Sequence, residues 1–302
     1  MLESNTFEKI KALAPKAVCD EAMCDHTTFR IGGKADAYVS IDSEEELIGL
    51  IRICKEEKID YFIIGNGSNL LVSDKGYRGL IMEIGKDFSG IELQDNRLKV
   101  KAGTLMSRVS RFALDKSLTG FEFASGIPGT IGGGVIMNAG AYGGEMKQVT
   151  RSVRLLDKEG NISTLTGEEM EFSYRNSRAK REGLIVLEVT LELAYGSLPD
   201  IEELMKELAV KRREKQPLEY PSAGSTFKRP EGYFAGKLIS DCGLKGMSVG
   251  GAQVSEKHAG FIINTGKATA SDVYELIGKV KDRVHNDFGV ELEPEVIMVG
   301  EM

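Results

Sequence analysis

Eight of the twenty residues at positions 125–144 are glycine, in the order Ser-Gly-Ile-Pro-Gly-Thr-Ile-Gly-Gly-Gly-Val-Ile-Met-Asn-Ala-Gly-Ala-Tyr-Gly-Gly. A helix or strand interior gains nothing from such density, so the stretch predicts backbone that something else approaches closely. Pro128 fixes one φ and leaves its neighbours free, and the N–H groups around it can converge on an anion or a heteroaromatic edge. A second stretch, Gly65-Asn-Gly-Ser-Asn69, stands between the apolar runs 61–64 and 70–72 and reads as strand, tight turn, strand. Its consecutive N–H donors, hydroxyl and carboxamide suit a diphosphate held without a helix dipole. It is no Rossmann fingerprint, because a β-prone run follows where a helix should open, and no Walker loop, because no Gly-Lys-Ser or Gly-Lys-Thr ends it. Taken singly, either stretch is equally a glycine-rich surface loop.

Two such turns on consecutive subdomains predict one long diphosphate ligand lying between them with a flat ring at one end, a shape that FAD fits. The elements that must hold them follow from the pattern. Residues 35–40 form a strand, Ser43 and Glu46 a capping box opening a helix to about 58 with Leu47, Leu50, Ile51 and Cys54 inward, and 80–84 a further strand. Strand 98–102 leads to a helix capped by Thr104 that runs to about 116 with Val109, Phe112 and Ala113 inward. Strands recur at 152–156, 162–165 and 184–193, the last alternating Leu187, Val189, Leu191 and Leu193 with polar residues, so that one face is wet. The pattern breaks at 196–200. A helix with Ile201, Leu204 and Leu208 on its apolar side then ends in the basic turn Lys211-Arg-Arg-Glu-Lys215. A short helix at 234–241, a strand at 260–264, a helix at 271–288 stopped by Gly289 and a strand at 295–299 complete the chain.

At 302 residues with 41% hydrophobic content the chain can build two or three cores. A net charge of -7 argues against a nucleic-acid binder, whose electrostatics need a basic face. The four cysteines, Cys19, Cys24, Cys54 and Cys242, fit a reducing compartment; Cys19, Cys24 and His26 lack the second ligand pair of a structural zinc site, so no metal is expected. Residues 1–16 scatter Glu3, Glu8, Lys9 and Lys11 among apolar residues, unlike a signal peptide, and no apolar run reaches the ~20 residues of a membrane span. The expectation is a cytoplasmic protein without membrane insertion.

Six stretches in one order carry a resemblance: Gly65-Asn-Gly-Ser-Asn69; Ser125-Gly-Ile-Pro-Gly129 with Asn138-Ala-Gly-Ala-Tyr-Gly143; Ser173-Tyr-Arg-Asn-Ser177; Ala223-Gly-Ser-Thr-Phe-Lys228; Val254-Ser-Glu-Lys-His258; and Glu293-Pro-Glu-Val296. Together they resemble the UDP-N-acetylenolpyruvoylglucosamine reductase family over about residues 26–300. The resemblance implies an α+β protein: a vanillyl-alcohol-oxidase-type FAD-binding fold of two α/β subdomains, 1–90 and 91–196, and a C-terminal α+β substrate domain, 197–302. It implies NADPH-dependent reduction of UDP-N-acetylglucosamine enolpyruvate through non-covalent FAD in peptidoglycan synthesis. Carried over by position, the proton donor falls on Ser225, the arginine on Arg175 and the carboxylate on Glu295. The cofactor-binding set falls on Gly65, Asn66, Gly67, Ser68, Asn69, Ile127, Pro128, Gly129, Asn138 and Gly140, and the substrate-binding set on Tyr174, Arg213, Lys215 and Arg229. Longer members carry an inserted tyrosine loop for which 194–201 has no room, so the chain resembles the shorter subgroup. Residue chemistry alone leaves Ser225 a turn hydroxyl, Arg175 a surface ion-pair partner and Glu295 a solvated carboxylate. An FAD oxidase of the same fold, or a flavin- or nucleotide-sugar-binding protein without catalysis, fits the composition equally.

Overall fold

The first sheet orders its strands Val18–Ala22, Lys34–Ser40, Tyr77–Glu83, Tyr61–Ile64. The Val18–Ala22 edge pairs antiparallel and the other two pairings are parallel. A strand inside a covered sheet must be apolar on both faces, and Ala35, Ala37, Tyr38 and Val39 are all buried. Helix Glu44–Glu57 packs Leu47, Leu50, Ile51 and Cys54 inward. Ser43 Oγ accepts from Glu46 N at 3.1 Å, but the Glu46 carboxylate accepts from Asp42 N at 2.7 Å, one residue earlier than a capping box requires. The structure, a computed structural model, describes residues 2–302.

The second sheet is antiparallel throughout, in the order Ile162–Thr166, Thr150–Leu156, Ile185–Glu192, Arg97–Lys101, Ile91–Gln94. Its central strand buries Leu187, Val189 and Leu191 and turns Glu188, Thr190 and Glu192 outward, as the alternation dictates. One continuous core from Ile10 to Leu193 joins both sheets. A separate core gathers residues 223–296 around helices Ala235–Asp241 and Ala270–Phe288 and the small sheet Ser248–Val249, Ala252–Val254, Ile262–Asn264. Phe29, Ile31 and Leu71 of the N-terminal part belong to that second core.

Several expectations are corrected. Strand Tyr61–Ile64 and strand Leu70–Val72 do not pair with each other: the first joins Tyr77–Glu83, the second runs parallel to Ile297–Val299. The 65–69 turn therefore crosses between sheets. Thr104 caps no helix; helix Met106–Asp115 starts after Leu105, and Thr104 Oγ1 staples Gly90 by donating to its O at 3.1 Å and accepting from its N at 3.0 Å. Leu204 is 40% exposed, because helix Leu198–Lys215 buries only a narrow face at Ile201 and Leu208. Ahead of the edge strand, where the sequence reading placed no element, lies helix Ser4–Leu13. Finally, the glycine-rich stretch is not helix-free. Residues Ile131–Ile136 form a helix whose N-cap Thr130 accepts from Gly133 N. Glycine is needed there for close packing: a Cβ on Gly132 would stand 3.0 Å from Ala102 Cβ, and one on Gly134 2.8 Å from Met106 Sδ.

Candidate active site

The two glycine-rich stretches meet. Asn66 Nδ2 donates to Pro128 O, a Cβ on Gly65 would overlap Thr130 Oγ1, and one on Gly129 would touch Ser68 Oγ at 3.5 Å. Gly67 has φ +57 and lies on the backbone of His26, whose carbonyl oxygen leaves no room for a Cβ; Thr28 N donates to Gly67 O at 3.2 Å. Between the turns opens a cleft of about 1680 Å3. Pockets for drug-sized ligands run to about 1,000 Å3, so this one has room for a dinucleotide. Gly65, Asn66, Gly67, Ser68 and Asn69 line it, as do Ile127, Pro128, Gly129 and Gly140. Backbone that no side chain covers, in a long and mostly apolar cleft, fits FAD.

At the same cleft three polar side chains from distant parts of the chain come together: Arg175, Ser225 and Glu295. Arg175 belongs to a tight turn in which Ser173 N donates to Asn176 O and Asn176 N to Ser173 O, each at 3.1 Å. Its φ is +54, the left-handed region that residues with side chains avoid. Asn138 Nδ2 donates to Ser173 O at 3.1 Å, and Ser177 Oγ to Ile136 O at 2.9 Å, tying the turn to the glycine-rich helix. Arg175 Nε donates to Glu295 Oε1 at 2.5 Å; the two side chains are 22% and 12% exposed. Glu295 is placed by its backbone, since its N donates to Thr226 O at 2.8 Å and its O accepts from Asn69 Nδ2 at 3.2 Å. That bond puts Glu295 beside Ser225, while Thr226 Oγ1 accepts from Ile262 N at 3.0 Å and roots the segment in the third sheet.

Burial pushes the Glu295 carboxyl up, against the opposing pull of Arg175, Lys180 and Lys228. Besides Arg175 and Arg213 the cleft is lined by Lys158, Lys180, Lys206 and Arg212, of which Lys180 and Arg212 are partly buried and bonded. Lys180, on the short helix Arg178–Glu182, donates to Arg175 O at 3.1 Å, and burial followed by Lys228 pushes its amine below the ordinary lysine value. Arg212 donates from Nε to Gln216 Oε1 at 3.0 Å and stands so close to Gly126 that a Cβ there would overlap its guanidinium; desolvation lowers its pKa. Arg212 lay inside the basic helix end already noted, but no periodicity distinguishes it from Arg213, which is exposed and also lines the cleft.

The remaining expected site residues lie elsewhere. Asn138 is buried at 1% exposure and does not line the cleft; its Oδ1 accepts from Lys147 N at 2.9 Å and its Nδ2 also reaches Glu145 Oε2 at 3.0 Å. Tyr174, Lys215 and Arg229 are exposed and stand off the cleft wall. Tyr174 Oη accepts from Arg229 N at 3.0 Å, and the Arg229 guanidinium stacks on Phe234 at 3.8 Å. His258 packs edge-on against Phe261 and accepts from Gly260 N through Nδ1 at 3.1 Å, a structural use.

Residues 216–299 match the family model described as the UDP-N-acetylenolpyruvoylglucosamine reductase C-terminal domain, and residues 35–166 match an FAD binding domain. The chain is 52% identical over 282 residues to the UDP-N-acetylenolpyruvoylglucosamine reductase of Clostridioides difficile, covering 93% of each. It is 52% identical over 286 residues to the reductase of the same name from Caldanaerobacter subterraneus, covering 95% of this chain and 94% of that one. Among solved structures, the UDP-N-acetylenolpyruvylglucosamine reductase of Thermus caldophilus superposes with a TM-score of 0.81 at 35% identity, over 94% of this chain and 98% of that one. A Phl p 4 glucose oxidase variant shares the fold alone, with a TM-score of 0.51 at 10% identity.

Proposed function

Because this chain belongs to the UDP-N-acetylenolpyruvoylglucosamine reductase family, it is an FAD-dependent reductase of peptidoglycan synthesis with NADPH as hydride donor, and we propose that Arg175, Ser225 and Glu295 carry its chemistry. The fold is the α+β arrangement with an FAD-binding unit of the vanillyl-alcohol-oxidase type. Held in this cleft and reduced by NADPH, FAD would supply a hydride for the terminal carbon of the enolpyruvyl ether of UDP-N-acetylglucosamine. Negative charge then builds toward the substrate carboxylate, and Arg175 stabilises it with the guanidinium edge not engaged by Glu295. Ser225 donates the proton that the neighbouring carbon requires, giving UDP-N-acetylmuramate. Glu295 orients Arg175. The observation that carries this assignment is the convergence of the three residues on one cleft through the 2.5 Å Arg175–Glu295 bond and the Glu295–Thr226 backbone bond.

The division at about 90 is supported by the two sheets, one built from strands within 18–83 and the other from strands within 91–192, and that at about 196 by the separate core gathering residues 223–296. Asn66, Ser68 and the 127–129 backbone hold the flavin nucleotide in this reading, with Asn138 acting through the loop it braces. Arg213, Lys215 and Arg229 hold the substrate diphosphate and Tyr174 also binds substrate, a reading supported by Arg213 on the cleft wall and the Arg229–Tyr174 bond next to Arg175. The net charge of -7 speaks against nucleic acid, and among the described residues no helix is long and apolar enough to cross a membrane. A soluble nucleotide-sugar substrate and NADPH support the reading of a cytoplasmic enzyme.

The test is an anaerobic two-step absorbance experiment. NADPH bleaches the yellow protein and the enolpyruvyl sugar restores the colour; recovery with oxygen alone would sink the substrate assignment. In Ser225→Ala, reoxidation by the sugar slows by roughly 100- to 10,000-fold while bleaching by NADPH keeps its rate. Equal loss in both steps would remove Ser225 from the proton transfer.

A further inference from the structure

The left-handed φ of Arg175 has an energetic cost that its surroundings must offset. Three side chains brace the turn. Asn138 holds Ser173 O and Ser177 holds Ile136 O, both neutral bonds to its flanks. Lys180 alone of the three reaches the strained residue itself, donating to Arg175 O at 3.1 Å, with Met137 Sδ at 3.3 Å beside the same amine. Lys180 lines the cleft and is half-buried. A neutral amide could brace that carbonyl, so a desolvated ammonium at this position has a use beyond the bond. Its charged surroundings are Glu295 and Glu293, which attract it, and Lys228, which repels it.

We propose that Lys180 is a positioning residue for the Arg175–Glu295 pair, its ammonium locking the left-handed turn through the Arg175 carbonyl and so fixing where the guanidinium meets the substrate carboxylate. The proposal rests on the assignment of Arg175 to charge stabilisation. It has an electrostatic corollary. The groups that face Glu295 are Arg175, Lys180 and Lys228, all cationic, and each opposes the upward push of burial. With the Lys180 charge gone the Glu295 carboxyl needs a higher pH to ionise, so an acid limb governed by Glu295 moves to higher pH.

Rapid mixing of the flavin-loaded wild type, Lys180→Met, Lys180→Arg and Arg175→Ala proteins tests this. In Lys180→Met, reoxidation by the enolpyruvyl sugar slows by roughly 10- to 100-fold, its acid limb moves up in pH, and reduction by NADPH is unchanged. Lys180→Arg, which keeps charge and donor, recovers most of the rate. A wild-type rate and pH profile in Lys180→Met, with Arg175→Ala impaired, overturns the role of Lys180 alone. An unimpaired Arg175→Ala sinks the assignment of Arg175 and the proposal with it. Should Lys180→Met fail to retain flavin, Lys180→Arg decides: near-wild-type reoxidation supports the role, and slow reoxidation on an intact flavin overturns it.

Discussion

The glycine cradle and the Arg175–Glu295 centre face one cleft, but they are held in different ways. The cradle is backbone closely approached: Gly67 lies on the His26 carbonyl, the Asn66 carboxamide donates to the Pro128 carbonyl, and Gly65 lies against Thr130 Oγ1. Such contacts tolerate no added atom, and they do not depend on charge. The ionic centre is side chain against side chain across three segments, with a partly buried pair whose strength depends on both partners and on the pH. On the assignment proposed above, close packing therefore sits where the cofactor would lie, and titratable groups where the substrate would react.

The sharpest way to break that comparison is at Gly67. A Cβ there meets backbone and the left-handed φ costs a further ~1–2 kcal/mol, so Gly67→Ala is expected to lose flavin and to melt well below wild type. Retained flavin absorbance with an unchanged melting temperature would show that the close approach is not structural. The middle case is Glu295→Gln. It keeps the shape, leaves the desolvated guanidinium without its counter-charge, and is expected to cut turnover by roughly 100-fold or more while the flavin-to-protein ratio holds. Loss of flavin in that variant would mean that the two regions are not separable.

The smallest effect concerns the one titrating brace of the cradle. The His26 ring lies 2.8 Å from Glu21 through Nε2 and 3.3 Å from Glu83 through Nδ1, stacked on Tyr38, whose hydroxyl also donates to Glu83. The bond to Glu83 leads in raising the His26 pKa, against burial and with help from Glu21. On Glu83 burial pushes up, but the bonds from His26 and Tyr38 hold the carboxyl below its ordinary value. The folded state thus grips the His26 proton more tightly than the unfolded chain does. Its stabilisation is fully present below about pH 6.5 and fades as pH rises through the elevated folded value. His26→Gln is expected to flatten that fall, a difference of about 1 kcal/mol or less, read from melting temperatures across the window. Parallel curves for the two proteins would exclude the coupling.

What was legible in the sequence was local. The face of helix Ala270–Phe288 and its stop at Gly289 follow from spacing and from a left-handed φ of +66, and the Ser43 cap from a hydroxyl three residues before Glu46. Both cradle turns were readable because glycine in such number has few other uses. What sequence spacing hid depended on packing at long range. Glycines 132 and 134 counted against a helix, yet they are what lets helix Ile131–Ile136 lie on Ala102 and Met106. Both strands flanking the 65–69 turn were readable, but the partner of Leu70–Val72 comes from the far end of the chain, which no local pattern reveals. Asn138 carries its family position through the loop it fastens, whereas Lys180 and Arg212 gain their place at the cleft from burial that no pattern of charges encodes.

Strand Leu70–Val72 leaves the cradle turn directly and finds its only strand partner among the described residues in Ile297–Val299. During synthesis the chain must emerge as far as Val299 before that ladder can close, although the turn itself is made more than 200 residues earlier. A fragment that stops short of Ile297 possesses the glycines but lacks the strand that pairs beside them.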